Sequence, residues 1–169
     1  MVNVPWYTLG NWKLDINQLY NLEQSLLNKK YKHVGVYTTF SQDSEHLGFL
    51  KSFYQNIVDE IAKQQTIYNY SKIEYEFWAQ LYTNSGYHKP HTHFGINLNT
   101  IISWVHFLKI PNVECFRFTD GTNYSIPQQT EGDLLVFPPY CRHEVIQHNN
   151  NTNRIVVAGN IKLLEHTPT

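Results

Sequence analysis

The spacing of apolar residues along this chain changes once, near residue 65. Before that point they recur at helical intervals. Ile16, Leu19, Glu23 and Leu26 follow helical spacing, with Leu22 and Leu27 beside them. Asp15-Ile16-Asn17-Gln18 has the form of a capping box, with Asp at the N-cap and Gln at N3. The spacing predicts a helix over about 15 to 29. A second helix is predicted over about 42 to 64. There Leu47, Leu50, Phe53 or Tyr54, Ile57, Val58 and Ile61 make an apolar stripe, opposite Asp43, Glu45, Lys51, Gln55, Asp59 and Lys63. That polar side reads as a solvated face. Residues 1 to 14 read as irregular, punctuated by Pro5 and Gly10, and Val34 to Phe40 as a short β-rich run.

After Gln65 the period falls to two. Ile73, Tyr75, Phe77, Ala79 and Leu81 alternate with Glu74, Glu76, Trp78, Gln80 and Tyr82, the pattern of a strand with one buried face. Asn84-Ser85-Gly86 follows as a turn. Further strands are predicted at Ile101 to Leu108, Glu114 to Thr119, Asp133 to Phe137, Glu144 to Gln147 and Arg154 to Lys162. Asp120-Gly121, Glu131-Gly132-Asp133 and His148 to Asn151 supply turn chemistry between them. Two helices and then a run of short strands predict a mainly β, α+β fold, with helices packed on a sandwich or barrel. A length of 169 residues suits one domain. The expected division of 1–169 is a helical N-terminal support over 1–70 and a β core over 71–165.

Composition sharpens this picture in three places. Aromatic residues make up 15% of the chain, which suits half-buried strands. The formal net charge is −1, so bulk electrostatics argue against nucleic acid as a partner and give no basis for membrane-surface binding. No apolar run is long enough to span a bilayer, and no signal-peptide pattern opens the sequence. Cys115 and Cys141 form neither a CxxC pair nor a disulfide framework. A reducing, cytoplasmic setting is the expectation.

The chemistry gathers in His91-Thr92-His93. In an extended strand two imidazoles two residues apart face the same side, and neutral imidazole binds divalent Fe, Zn, Cu or Ni. A third imidazole, His143, lies 52 residues after His91, just beyond Pro138-Pro139. Arg154 follows eleven residues later and opens the apolar run Ile155-Val156-Val157-Ala158. Together these are the layout of a metal site with an anion anchor. Spacing alone leaves zinc and iron open. It also leaves Arg154 free to be an ion-pair partner of a protein acid such as Glu144.

Residues 75 to 160 resemble the iron(II)/2-oxoglutarate-dependent dioxygenase superfamily. They are most similar to a small subgroup common in phage and bacterial genomes. The matching stretches are His91-Thr92-His93, Ser103-Trp104-Val105-His106-Phe107-Leu108, Glu131 to Pro138, His143 and Arg154. The resemblance implies a double-stranded β-helix, a cupin-like jelly roll, with the metal in its mouth. It implies Fe(2+) and 2-oxoglutarate as cofactor and co-substrate, held by His91, His93 and His143 and by Arg154, with the Tyr82 hydroxyl able to reach the far carboxylate. 2-Oxoglutarate and O2 would be consumed, succinate and CO2 formed, and a C–H bond of a second substrate oxidised.

One position departs from the superfamily. Most members have H-x-D where this chain has His93, and no Asp or Glu lies between Glu76 and Glu114. Either His93 is a third imidazole ligand, or His91 and His143 bind alone and water fills the gap. Tyr82, Trp104, Phe116 and Phe118 are candidate pocket walls, and His106 faces either the site or solvent. The expected function is a 2-oxoglutarate-dependent hydroxylase acting on a protein side chain or small molecule. The alternative is a metal-binding jelly roll without oxygenase activity, either an isomerase or a binding module. Residues 1–70 are expected to cover the site or to form a homodimer surface.

Overall fold

The structure is a computed structural model that describes residues 2–29, 32–33, 35–40, 44–65, 73–94, 99–111 and 113–164. The first helix, α1, spans Ile16–Leu27. Its capping box forms as expected. The Asp15 carboxylate accepts from the Asn17 and Gln18 backbone N–H groups at 2.9 Å each, and the Gln18 side chain accepts from the Asp15 N–H. α1 buries Leu22 and Leu26.

The second helical stretch divides into a 3-10 segment, Ser44–Leu50, and an α-helix, α2, at Lys51–Gln64. The expected start near residue 42, with Asp43, lies outside the described residues. The predicted stripe is buried as expected, with Leu47, Leu50, Tyr54, Ile57, Val58 and Ile61 all at 1% exposure or less.

The strands are β1 (Tyr7–Leu9), β2 (Lys32–His33), β3 (Val36–Thr38), β4 (Ile73–Tyr82), β5 (His88–His91), β6 (Thr100–Lys109), β7 (Phe116–Thr119), β8 (Tyr124–Ser125), β9 (Leu134–Phe137), β10 (His143–Val145) and β11 (Arg154–Leu163). They form a seven-stranded sheet in the order β1-β9-β6-β11-β4-β3-β2 and a four-stranded sheet in the order β5-β10-β7-β8. All their pairings are antiparallel. The result is the expected jelly-roll α+β architecture.

Three features differ from the sequence reading. The segment 1–70 contributes β1, β2 and β3 to the large sheet as well as helices. The irregular reading of 1–14 missed Tyr7–Leu9, three residues being too few to show a period. The strand read as Glu144 to Gln147 begins one residue earlier, at His143, and ends at Val145.

Strand alternation sorts the two faces of the large sheet. Tyr75, Phe77, Ala79 and Leu81 of β4, Ile155, Val157 and Ile161 of β11, and Trp104 of β6 pack toward α1 and α2. Tyr82, Val156, Val105 and Phe107 point the other way, into a second core with Phe116, Phe118 and Phe137. Each fully buried Leu, Ile, Val or Phe contributes roughly 1.5–3 kcal/mol. β4 therefore has one buried face only in its first half. From Trp78 to Tyr82 both faces are covered.

Candidate metal centre

β10 pairs with β5 so that His143 stands directly opposite His91, and their ring centroids are 4.4 Å apart. His93 reaches the same place by a different route. β5 ends at His91, so the H-x-H stretch is not the continuous strand expected. The chain bends, and the backbone N–H groups of His93 and Phe94 donate to the Pro139 carbonyl at 2.9 and 3.1 Å. The Pro138-Pro139 stretch that precedes His143 thus also anchors His93. The His93 ring centroid lies 5.5 Å from that of His91 and 5.1 Å from that of His143. The ligand atoms of the three rings lie within 4.8 Å of one another.

The donor set suits a divalent ion. His91 Nδ1 lies 2.8 Å from the Lys89 carbonyl, and His143 Nδ1 lies 2.9 Å from the Cys141 carbonyl. A carbonyl only accepts, so each Nδ1 carries the proton and each Nε2 keeps its lone pair. His93 Nδ1 lies 2.8 Å from Asn160 Oδ1 and 2.9 Å from Ser103 Oγ. Burial pushes His143 well below the usual imidazole range, helped by the neighbouring His91 and His93. Burial likewise lowers His93. Neutral rings at neutral pH are what a metal needs, because a protonated imidazole has no lone pair to give.

Arg154 supplies the second half of the site. It is fully buried, and its Nε, Nη1 and Nη2 meet no oxygen or nitrogen acceptor among the described residues; the Cys115 thiol, a weak acceptor, lies against it. Its guanidinium carbon sits 5.7 Å from the ring centroids of both Tyr82 and Phe107. Glu144 does not serve it, because its carboxylate pairs with Arg117 Nε at 2.8 Å. Burial draws the Arg154 pKa down. A buried cation left this way is costly unless an anion meets it. Arg154 shares a recess with Val156 and Ala158, as strand alternation predicts, and with His91, His93 and His143. Counted out to its open mouth and into the solvent there, the recess spans about 410 Å³.

Tyr82 stands opposite Arg154 across the β4–β11 pair. Its hydroxyl lies 2.9 Å from Gln80 Oε1, to which it donates, and 2.9 Å from His88 Nδ1. His88 therefore holds a polar group of the recess wall. Phe116 lines the recess. Trp104 also borders the recess while stacking on Tyr54 in the helical layer at 5.3 Å, and Phe118 packs in the core between the sheets. His106 faces neither the site nor solvent. It is buried against α2, with Nδ1 3.0 Å from the Tyr54 hydroxyl and Nε2 2.6 Å from the Trp12 carbonyl.

Sequence reasoning did not single out Asn160 or Glu76. The available signal was a polar side chain inside an apolar strand, Asn160 between Gly159 and Ile161.

No protein-family model matches the chain, and no curated protein matches it by sequence. Solved structures do. The viral collagen prolyl hydroxylase from Paramecium Bursaria Chlorella virus-1, in its 2OG complex, is 13% identical, covers 95% of this chain and 96% of its own, and has a TM-score of 0.67. An oxidoreductase of the 2OG-Fe(II) oxygenase family from Burkholderia pseudomallei is 14% identical, with coverages of 93% and 84% and a TM-score of 0.60. The non-heme alpha-ketoglutarate-dependent epimerase SnoN from nogalamycin biosynthesis is 11% identical, with coverages of 95% and 78% and a TM-score of 0.66. At these identities the likeness is one of backbone architecture: the chain has the jelly-roll fold of the 2OG-Fe(II) oxygenases.

Proposed function

We propose that this chain is an Fe(II)- and 2-oxoglutarate-dependent dioxygenase, a hydroxylase of a protein side chain or small molecule. The observation that carries this reading is Arg154, a buried guanidinium with no carboxylate partner among the described residues and only the Cys115 thiol as a weak acceptor, in the same recess as three imidazole donors. A metal alone would not need that cation. A dicarboxylate that chelates metal with its 2-oxo acid end and carries a second carboxylate uses both. His91, His93 and His143 would hold the ion through Nε2, and Arg154 would take the far carboxylate in a bidentate pair. The superfamily's usual Asp is absent, so the ligand shell is neutral. With metal and 2-oxoglutarate bound, the site would supply oxidation of a C–H bond by O2, one oxygen atom going to that product and the other to the succinate formed from 2-oxoglutarate with release of CO2.

The chain's own contribution is positioning and exclusion. Phe116, Phe137, Val145 and Val156 wall the recess with apolar surface, which keeps water from competing for Arg154. Tyr82 and Gln80 place polar groups beside the anchor. The fold neighbours include an epimerase as well as hydroxylases, so the outcome at the second substrate rests on the recess and not on the fold.

The test is succinate release. Protein loaded with Fe(II) and given 2-oxoglutarate and O2 is expected to form succinate slowly even without a second substrate. His143→Ala is expected to reduce that release to background. Zn(II) binding with no response to 2-oxoglutarate would instead support a metal-binding jelly roll without oxygenase activity.

A further inference from the structure

The neutral third ligand leaves a question that the outer residues answer. Ser103 on β6, Asn160 on β11 and Glu76 on β4 are directly opposite one another in adjacent strands. By alternation all three point to the face of the sheet that carries the recess. They make one continuous row. Ser103 Oγ donates to Asn160 Oδ1 at 2.8 Å, and Asn160 Nδ2 donates to Glu76 Oε1 at 3.0 Å. Glu76 Oε2 pairs with Lys162 Nζ at 2.6 Å. His93 Nδ1 sits on the middle of the row, 2.8 Å from Asn160 Oδ1.

The direction of these bonds follows from Glu76. An ionised carboxylate only accepts, so the end of the Asn160 amide that faces it must be the NH2. The other end, facing His93, must be the carbonyl oxygen. That oxygen accepts, so His93 Nδ1 must carry the proton, and Nε2 is left with its lone pair toward His91 and His143. We infer that Glu76 and Asn160 are positioning residues that fix His93 as an Nε2 metal ligand. They place a carboxylate two hydrogen bonds behind a ligand shell that contains none. This inference rests on the metal-site half of the proposed function and is independent of 2-oxoglutarate. The arrangement extends the carboxylate–histidine–metal logic by one amide, and a partner of this kind also raises ligand basicity.

Two measurements on the full chain test it. The first is the tautomer of each histidine in metal-free protein, read from two-bond ¹H–¹⁵N correlations at neutral pH. The second is affinity for Ni(II) alone, by calorimetry. Wild type is expected to show His93 protonated at Nδ1. Asn160→Leu combined with Ser103→Ala is expected to shift His93 toward Nε2–H and to weaken Ni(II) about 10- to 100-fold. His91 and His143 should stay as Nδ1–H in the same spectrum, because their carbonyl partners are untouched. Glu76→Gln, at a half-exposed position that does not challenge folding, is expected to lower Ni(II) affinity in the same direction by releasing the Asn160 amide to rotate. The exchanged pair Glu76→Gln with Asn160→Asp puts an acceptor back against His93 and should restore both readouts. Unchanged His93 tautomer and unchanged Ni(II) affinity in Asn160→Leu/Ser103→Ala and in Glu76→Gln would overturn the inference. Loss of 2-oxoglutarate binding with these responses intact would count against the co-substrate and not against the row.

Discussion

A buried guanidinium without an anionic partner costs the fold free energy until an anion arrives, so Arg154 makes opposite demands on stability and on binding. Arg154→Met is expected to leave thermal stability unchanged or raised while abolishing 2-oxoglutarate binding. A thermal melt and a ligand titration read the two effects. A large fall in melting temperature would mean that Arg154 is a structural residue. Arg154→Lys keeps the charge and loses the planar fork. Loss of one charge-assisted hydrogen bond costs about 1.5–3 kcal/mol, or roughly ten- to a hundred-fold in affinity. Metal affinity should not move in either variant. The inward direction of Arg154 was legible in the sequence, because strand alternation puts it on one side with Val156 and Ala158; its role as a carboxylate anchor came from the resemblance, since alternation alone left an ion pair with a protein acid open. The state of the Tyr82 hydroxyl was not legible. It depends on His88 and Gln80, whose approach requires the turn at Asn84 to Gly86 to be known in three dimensions.

The central strand, β11, ties the molecule together between β6 and β4. Its Gly159 lies under the Trp104 indole, and an added Cβ would also meet the Glu76 carbonyl at 2.6 Å. Gly159→Ala is therefore expected to destabilise by about 1–3 kcal/mol, measured by urea unfolding. β6 is fastened to α2 through His106. Burial depresses its pKa to about 4, whereas an unfolded histidine titrates near 6.5. Between those values the unfolded chain binds the extra proton, so stability rises with pH across that window. It is complete above about 6.5 and falls by up to about 3 kcal/mol as pH drops to about 4. His106→Leu should be less stable than wild type at pH 7.5 and show a shallower loss on acidification. Equal slopes would contradict this assignment.

Helix periodicity and the capping box located α1 from residues alone, because both signals are local. The Glu76–Asn160–Ser103 row was hidden for the converse reason. It lies across three strands, and register is a property of their pairing that no single strand encodes. Glu74 and Glu76 pointed to a solvent face along β4, which is true only of the half that the second sheet does not cover.

As a whole, the molecule is a large sheet backed on one face by two helices and faced on the other by a four-stranded sheet. The recess lies between the sheets, where β5 and β10 bring His91 and His143 together. That convergence was foreseeable only through the resemblance of the motif order to a known superfamily, since 52 intervening residues carry no distance information. Among the described residues no helix is long and apolar enough to cross a membrane. The central claim is that one recess holds a metal on three imidazoles and a dicarboxylate on Arg154. Anaerobic titration of 2-oxoglutarate into Fe(II)-loaded protein tests it most directly. The account predicts a weak visible charge-transfer band that saturates with 2-oxoglutarate, is absent in His143→Ala, and needs roughly ten- to a hundred-fold more ligand in Arg154→Lys. No band in the wild type, or the same dissociation constant in wild type and Arg154→Lys, would contradict it.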